Sequence, residues 1–280
     1  MTKSLFLFAG YDKDGIIDCS LVHHIQSLSK IGDVIVVMDC DCTNSEIQKI
    51  SKYCIYVNAT RHGEYDFGSY KRGYIYARNN NILQNYNYVY MVNDSVYGPL
   101  FDIKPIIKKL ENFNTDAFGI IESRHKIYAP IESWFIGMNK KVFLSNVFDK
   151  FMTNIKQQKT KIDVTIEYEN GFTDLLNANK FSYKCLFSKH GRSVYNQPKN
   201  LFIHGCPFIK KASFTRHFGS NGMQINYVLN HIHEKLKKCI LTNAKRVYGD
   251  KIENILTNNP LKILIRKIQY GLHKLKVGGI

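Results

Sequence analysis

The sequence predicts an α/β fold built on a mostly parallel central sheet, with a basic helical extension at its C-terminal end. Three observations predict it. Short unbroken apolar runs recur through the first half of the chain, as in strands covered on both faces. Segments of helical periodicity alternate with those runs, which is the rhythm of parallel βαβ units. Several runs end directly in acidic turns, and open α/β sheets bind ligands beyond the carboxyl ends of their strands.

Taken in order, Ser4-Leu5-Phe6-Leu7-Phe8-Ala9 is the first buried strand and runs into Gly10-Tyr11-Asp12. Asp18 is placed to cap the next helix, Leu21, Val22, Ile25 and Leu28 share one face of it, and Gly32 suits its end. Asp33 to Met38 is a second strand, ending at Asp39-Cys40-Asp41. A short helix is expected over Ser45 to Tyr53 and a third strand over Cys54 to Val57. The Gly-rich polar segment Arg61 to Ser69 then leads into a helix expected from Tyr70 to Asn79. Tyr88 to Val92 is another buried strand and runs straight into Asn93-Asp94-Ser95. Later helices are expected over Asp102 to Glu111, Lys141 to Asn154 and Val164 to Asn177, with strands over Ala117 to Ile121 and Ser133 to Met138. Residues 1–224 form the main domain on this reading, and 225–280 a basic tail. In the tail Asn259-Pro260 opens a helix with Leu261, Leu264, Ile265, Ile268, Leu272 and Leu275 along one face.

Composition sets the boundaries. An apolar fraction of 44% in 280 residues is enough for a sizeable core. The net charge of +16 implies an anionic partner or surface, and by itself does not choose among nucleic acid, lipid and phosphorylated substrate. No recognisable nucleic-acid-binding motif accompanies the charge, so nucleic acid is not expected as a partner. The seven cysteines form no CxxC pair and are read as free thiols in a reducing cytosol. No apolar run reaches the length of a membrane span, and the N-terminal run lacks the form of a signal peptide. A cytoplasmic protein is expected, soluble or peripheral on the inner face of the membrane.

Gly10-Tyr11-Asp12, Asp39-Cys40-Asp41 and Asn93-Asp94-Ser95 all lie at strand ends, and their convergence is the argument for one site. Asp94 is the central residue of that site. A carboxylate there can hold Mg²⁺ or Mn²⁺, which prefers oxygen ligands and neutralises a diphosphate. An ordinary polar turn is the competing reading, since Asn, Asp and Ser are turn formers. Asp66, Ser69 and Lys71 form a second cluster at the start of a helix, where Asp66 either accepts ribose hydroxyls, orients Lys71 toward phosphate, or simply caps the helix. Trp134, the only Trp, either stacks on a sugar ring or packs in the core.

The segments Tyr65-Asp66-Phe67-Gly68-Ser69-Tyr70-Lys71-Arg72-Gly73 and Tyr90-Met91-Val92-Asn93-Asp94-Ser95-Val96-Tyr97-Gly98-Pro99-Leu100 resemble the rhamnan synthesis protein F family. The resemblance continues through Asp116-Ala117-Phe118-Gly119, Phe148-Asp149-Lys150-Phe151 and Ile166-Glu167-Tyr168-Glu169-Asn170-Gly171-Phe172-Thr173, and ends near Pro207-Phe208-Ile209-Lys210. It implies a GT-A-like fold, a nucleotide-sugar donor and sugar transfer in bacterial polysaccharide assembly. Asp94 then stands where such folds place a metal-binding aspartate. His204-Gly205-Cys206-Pro207-Phe208-Ile209-Lys210 is similar to a late segment of retaining GT-A enzymes, which implies His204 at the metal and Lys210 at the diphosphate. An exposed His beside a structural turn is the alternative. Tyr11 and Asp39 occupy the loops that hold the nucleotide base in this fold, and Asn93 and Ser95 flank the donor. Glu169 matches the family's Glu and, if transfer inverts the anomeric centre, is the candidate general base, with Asp163 and Glu132 behind it; a solvated helix carboxylate is the competing reading, and Glu167, two residues away, does not share its face.

The expected function is transfer of a sugar from a nucleotide to a growing surface polysaccharide, such as capsule, O-antigen or a lipid-linked glycan. The alternative is a GT-A-like module that binds glycan or a partner without catalysis. For the basic tail three readings stand: a helix packed on the domain, a helix lying on anionic lipid, and a nucleic-acid contact.

Overall fold

The computed structural model describes residues 3–124, 130–190, 193–215, 220–257 and 259–277. Its largest feature is a seven-stranded sheet with the order β3-β2-β1-β4-β7-β6-β8. The strands are β1 (Ser4–Gly10), β2 (Asp33–Met38), β3 (Tyr56–Ala59), β4 (Tyr88–Asn93), β6 (Ala117–Arg124), β7 (Phe135–Asn139) and β8 (Tyr183–His190). A separate pair joins β5 (Val96–Tyr97) to β9 (Ile209–Lys210), antiparallel. Within the large sheet β1, β2, β3 and β4 are parallel, and β7 alone runs against its neighbours β4 and β6. The fold is α/β with a mostly parallel central sheet, as the sequence predicts.

The chain forms two compact units, one of residues 1–94 and 102–190, the other of 95–101 and 191–280. This division follows contacts and differs from the compositional one at residue 224. The first unit holds the large sheet. Its strands β1, β2 and β4 are buried almost throughout, which is why they read as unbroken apolar runs rather than alternating ones. One core includes Leu5, Leu7, Ile35, Val37, Phe67, Tyr70, Met91, Ile136, Phe148 and Phe172. The second unit has its own core of Tyr97, Leu100, Ile209, Phe214, Ile225, Val228, Leu236 and Ile240.

Local signals placed several elements well. Helix α1 (Cys19–Ser29) begins where Asp18 accepts from the Ser20 and Leu21 amides, at 2.7 and 3.3 Å. The last helix, Pro260–Val277, begins where Asn259 accepts from Leu261 and Lys262, at 3.0 and 3.3 Å. Elsewhere the boundaries moved. The third strand starts at Tyr56 rather than Cys54. The expected helix over 141–154 is two short helices, because Ser145 caps a new one at Asn146–Thr153. The helix expected over 164–177 is interrupted by a π-helical stretch, Thr165–Asn170, before continuing as Gly171–Ala178. The expectation of seven free thiols holds for Cys40, Cys42, Cys54, Cys185 and Cys206, and does not hold for Cys19 or for Cys239, neither of which is a free thiol.

Candidate active site

The sheet order places a topological switch at β1, which pairs with β2 on one side and with β4 on the other. Crevices at such points receive ligands beyond the strand ends. Asn93 is the last residue of β4, and its backbone N–H donates to the Trp134 carbonyl at 3.1 Å. The next amide, that of Asp94, donates to the Ala9 carbonyl at 3.1 Å. The end of β4 is therefore pinned from both neighbours, and Asp94 leaves the sheet beside the end of β1.

A buried tyrosine joins this strand end to two other elements. Tyr70 lies on α2 (Tyr65–Asn79), is fully buried, and donates its hydroxyl to the Ser133 carbonyl at 3.0 Å. Its pKa is pushed well above the usual value, first by burial, then by the negative charges of Asp66, Glu169 and Asp94, with a hydrogen bond from Asn93 opposing. The charges of all three carboxylates thus act on one buried hydroxyl. The Asn93 side-chain amide donates to Asp66 at 3.0 Å. The Ser133 hydroxyl donates to Glu169 at 2.9 Å. Glu169 is half-buried and sits in the π-helical stretch, a local widening frequent at functional sites, while Glu167 is exposed. The two glutamates lie on different faces, as their spacing predicts.

A second acidic strand end behaves differently. Asp39, only 4% exposed, accepts from the backbone amides of His62, Gly63 and Tyr65 at 2.8, 2.7 and 3.2 Å. Arg61 pairs with it at 3.2 Å. A carboxylate has about four acceptor positions, and these partners take them all. Asp39, expected as an acceptor for a nucleotide base, is thus a clamp on the segment that starts α2. The clamp also holds Gly63 and Tyr65 at positive φ, 72° and 58°.

The clamp continues through His62. Its Nδ1 accepts from the Glu64 amide at 3.1 Å, so the proton sits on Nε2 and points to the Ser69 hydroxyl at 2.9 Å. The order Asp39–His62–Ser69 looks like a nucleophilic triad, but this tautomer leaves no base for the serine. Burial pushes the imidazole pKa down to about 4, with Arg72 next in effect. Ser69 is buried and serves the clamp. Lys71 is likewise engaged: its Nζ pairs with Glu64 at 3.0 Å and donates to the Ile155 carbonyl at 2.7 Å. Ser69 and Lys71, expected at the donor, are both engaged within the segment that starts α2.

Other candidates are placed as follows. Trp134 is 2% exposed and packs in the interior, so the core reading of this ring prevails over sugar stacking. Tyr11 is 49% exposed, with the Arg61 guanidinium 5.3 Å from its ring centre. Asp163 is used in the capping box of Thr160. Glu132 is buried. Ser95, Lys210 and His204 belong to the second unit. There Lys210 donates to the Ser95 hydroxyl at 3.3 Å. His204 is exposed and its Nδ1 bonds the Asn200 carbonyl at 2.7 Å. Among the described residues no group of three or more His, Cys, Asp or Glu side chains is arranged to hold a metal by itself. Sequence reading passed over Tyr70 as a hub, Ser133 and His62. The first two were visible only as members of longer motifs, and His62 carried no local signal at all.

The family model for rhamnan synthesis protein F matches residues 34–275, most of the chain. The chain belongs to this family. No curated protein sequence matches it. Several solved structures are similar at low identity. A nucleoside-diphosphate-sugar pyrophosphorylase from Vibrio cholerae RC9 is 10% identical, with 66% of this chain and 92% of that chain covered and a TM-score of 0.42. A glycosyltransferase involved in glycosylation of the major capsid of PBCV-1 is 12% identical, covering 81% and 98%, with a TM-score of 0.38. TarS residues 1–349 from S. aureus is 11% identical, covering 91% and 90%, with a TM-score of 0.34. Likeness at this level carries no conclusion about chemistry.

Proposed function

We propose that this member of the rhamnan synthesis protein F family is a glycosyltransferase. In this reading it moves a hexose from a nucleotide-sugar donor to a growing bacterial surface polysaccharide or related lipid-linked glycan, on the cytoplasmic side. The observation that carries the reading is the acidic end of β4 beside the switch point of the sheet, where the Asp94 amide bonds the end of β1, Asn93 donates to Asp66 and Ser133 donates to Glu169.

Each residue has a distinct task. Glu169, oriented by the Ser133 hydroxyl, takes the proton of the acceptor hydroxyl. The acceptor oxygen forms its bond to the anomeric carbon as the bond from that carbon to the diphosphate oxygen breaks, and the diphosphate departs with the electron pair. Asp66, held by Asn93, offers acceptors for donor hydroxyls. Exposed Tyr11 offers a ring face for the nucleotide base.

A divalent cation, Mn²⁺ or Mg²⁺, fits the donor chemistry here. Hard cations use one or two carboxylates and complete their shell with phosphate and water, so a cluster of three protein ligands is not required. Asp94 would hold it, and when bound it supplies Lewis-acid stabilisation of the leaving diphosphate.

The test is a thermal-shift screen of UDP-, GDP-, CMP- and dTDP-sugars with and without Mn²⁺. One donor class is expected to raise the melting temperature, because a ligand of the folded state alone stabilises it by mass action. No shift with any donor, and no turnover of any, would overturn the proposal.

A further inference from the structure

The last helix, Pro260–Val277, leaves an apolar stripe in solvent. Leu261 is 70% exposed, and Leu264, Ile265 and Ile268 are 54%, 53% and 54% exposed. These positions are spaced i, i+3, i+4, i+7 and so share one face. Among the described residues the other large exposed apolar side chains lie on other elements, mostly one at a time, which is ordinary for a protein surface. Four on one helix face is not.

The helix is anchored on its other side. Arg266 donates to the carbonyls of Ile255, at 3.2 Å, and Asn254, and Ile263 beside it is half-buried. The contact that holds the helix therefore uses a different face from the Leu/Ile stripe. Side chains from Tyr270 onward lie outside the described residues, but Leu272 and Leu275 continue the same spacing in the sequence.

Charge selects the occupant. Residues 260–280 contain Lys262, Arg266, Lys267, Lys274 and Lys276 and no Asp or Glu. Residues 225–280 hold eleven Lys and Arg against three Asp and Glu. A second copy of this helix would bring like charges together. An anionic bilayer surface takes both features at once: the apolar stripe enters the acyl boundary, and the lysines meet the headgroups. No helix among the described residues is long and apolar enough to cross a membrane, so the fitting mode is one that lies in the interface.

We propose that Pro260–Val277 docks the protein on an anionic lipid surface through Leu261, Leu264, Ile265 and Ile268, with Lys262 and Lys267 contacting the headgroups. Failure of this proposal would leave the sugar-transfer reading standing. The test is co-sedimentation of the full chain with vesicles of phosphatidylglycerol and phosphatidylcholine in equal parts, at roughly 0.1 M salt. Binding is expected to these vesicles and not to pure phosphatidylcholine. Leu264→Asp with Ile268→Asp should weaken it by at least about tenfold. Lys262→Gln with Lys267→Gln should weaken it by roughly tenfold or more. Both pairs are largely exposed, so melting should stay at the wild-type value. Wild-type protein left in the supernatant, or wild-type affinity in the Leu264/Ile268 variant, would overturn the proposal. So would tight binding to duplex DNA with no binding to vesicles.

Discussion

Two acidic strand ends of one sheet have been put to opposite uses. At the end of β2, Asp39 is buried and its oxygens are taken by three backbone amides and Arg61. Around it, Glu64 is paired with Lys71 and Arg72, and His62 is held neutral. At the end of β4, Asp66 and Glu169 are oriented by an amide and a hydroxyl, and with Asp94 they share the field around Tyr70. The first arrangement fixes a loop. The second places three carboxylate charges in the surroundings of one buried hydroxyl. The difference shows that an acidic residue at a strand end does not reveal its role by position; what its oxygens touch decides.

The comparison predicts that variants at the two ends fail in different ways. Glu169→Gln should lower kcat by roughly 10²- to 10⁴-fold with little change in donor KM or melting temperature, as loss of a general base does. Stopped assays with the donor found by thermal shift would measure it, and near-wild-type kcat would remove Glu169 from the mechanism. Asp39→Ala should instead cost about 3–5 kcal/mol of stability, because it leaves buried donors and a cation without their partner. Denaturant unfolding measures this, and an unchanged midpoint would deny the clamp.

A smaller effect concerns pH. Burial holds the folded-state pKa of His62 at about 4, below its ordinary value of 6.5. Between these values the unfolded chain binds a proton that the folded chain does not, so stability rises with pH. This contribution is fully present above the ordinary value and drains as pH falls toward the folded one. It amounts to something on the order of 3 kcal/mol across the window. His62→Gln should flatten that part of the stability-versus-pH curve, read by melting scans from pH 7 to 4.5; an unchanged slope would contradict the buried neutral imidazole. The smallest effect is expected at Ser133. Ser133→Ala should reduce kcat by about tenfold at unchanged KM, since it loosens Glu169 without removing it.

Much of the fold was legible because burial on both faces makes β1, β2 and β4 continuous apolar runs. The place of Asp94 just past the end of β4 was legible for the same reason: it follows such a run directly. Asp39 looked equally exposed by that logic, yet its partners lie more than 20 residues away in a segment with no periodic signal. The same long-range clamp starts α2 at Tyr65, five residues earlier than local propensity suggests. Strand β8 escaped because Tyr183–His190 mixes Lys, Ser and Cys with its apolar residues, and its pairing with β6 is settled by tertiary contact. The reversal of β7 has no local signature either. Trp134 could have been a sugar platform or a core residue, and only its burial chose between them.

The most direct measurement is donor turnover by Asp94→Asn beside Asp39→Asn, each checked by melting temperature. Asp94→Asn should lose turnover by at least about 10³-fold and keep its wild-type melting, since it removes charge stabilisation of the transition state without disturbing the pinned strand end. Asp39→Asn should lower melting, and any lost turnover should follow the loss of folded protein. Wild-type turnover in Asp94→Asn would contradict the account.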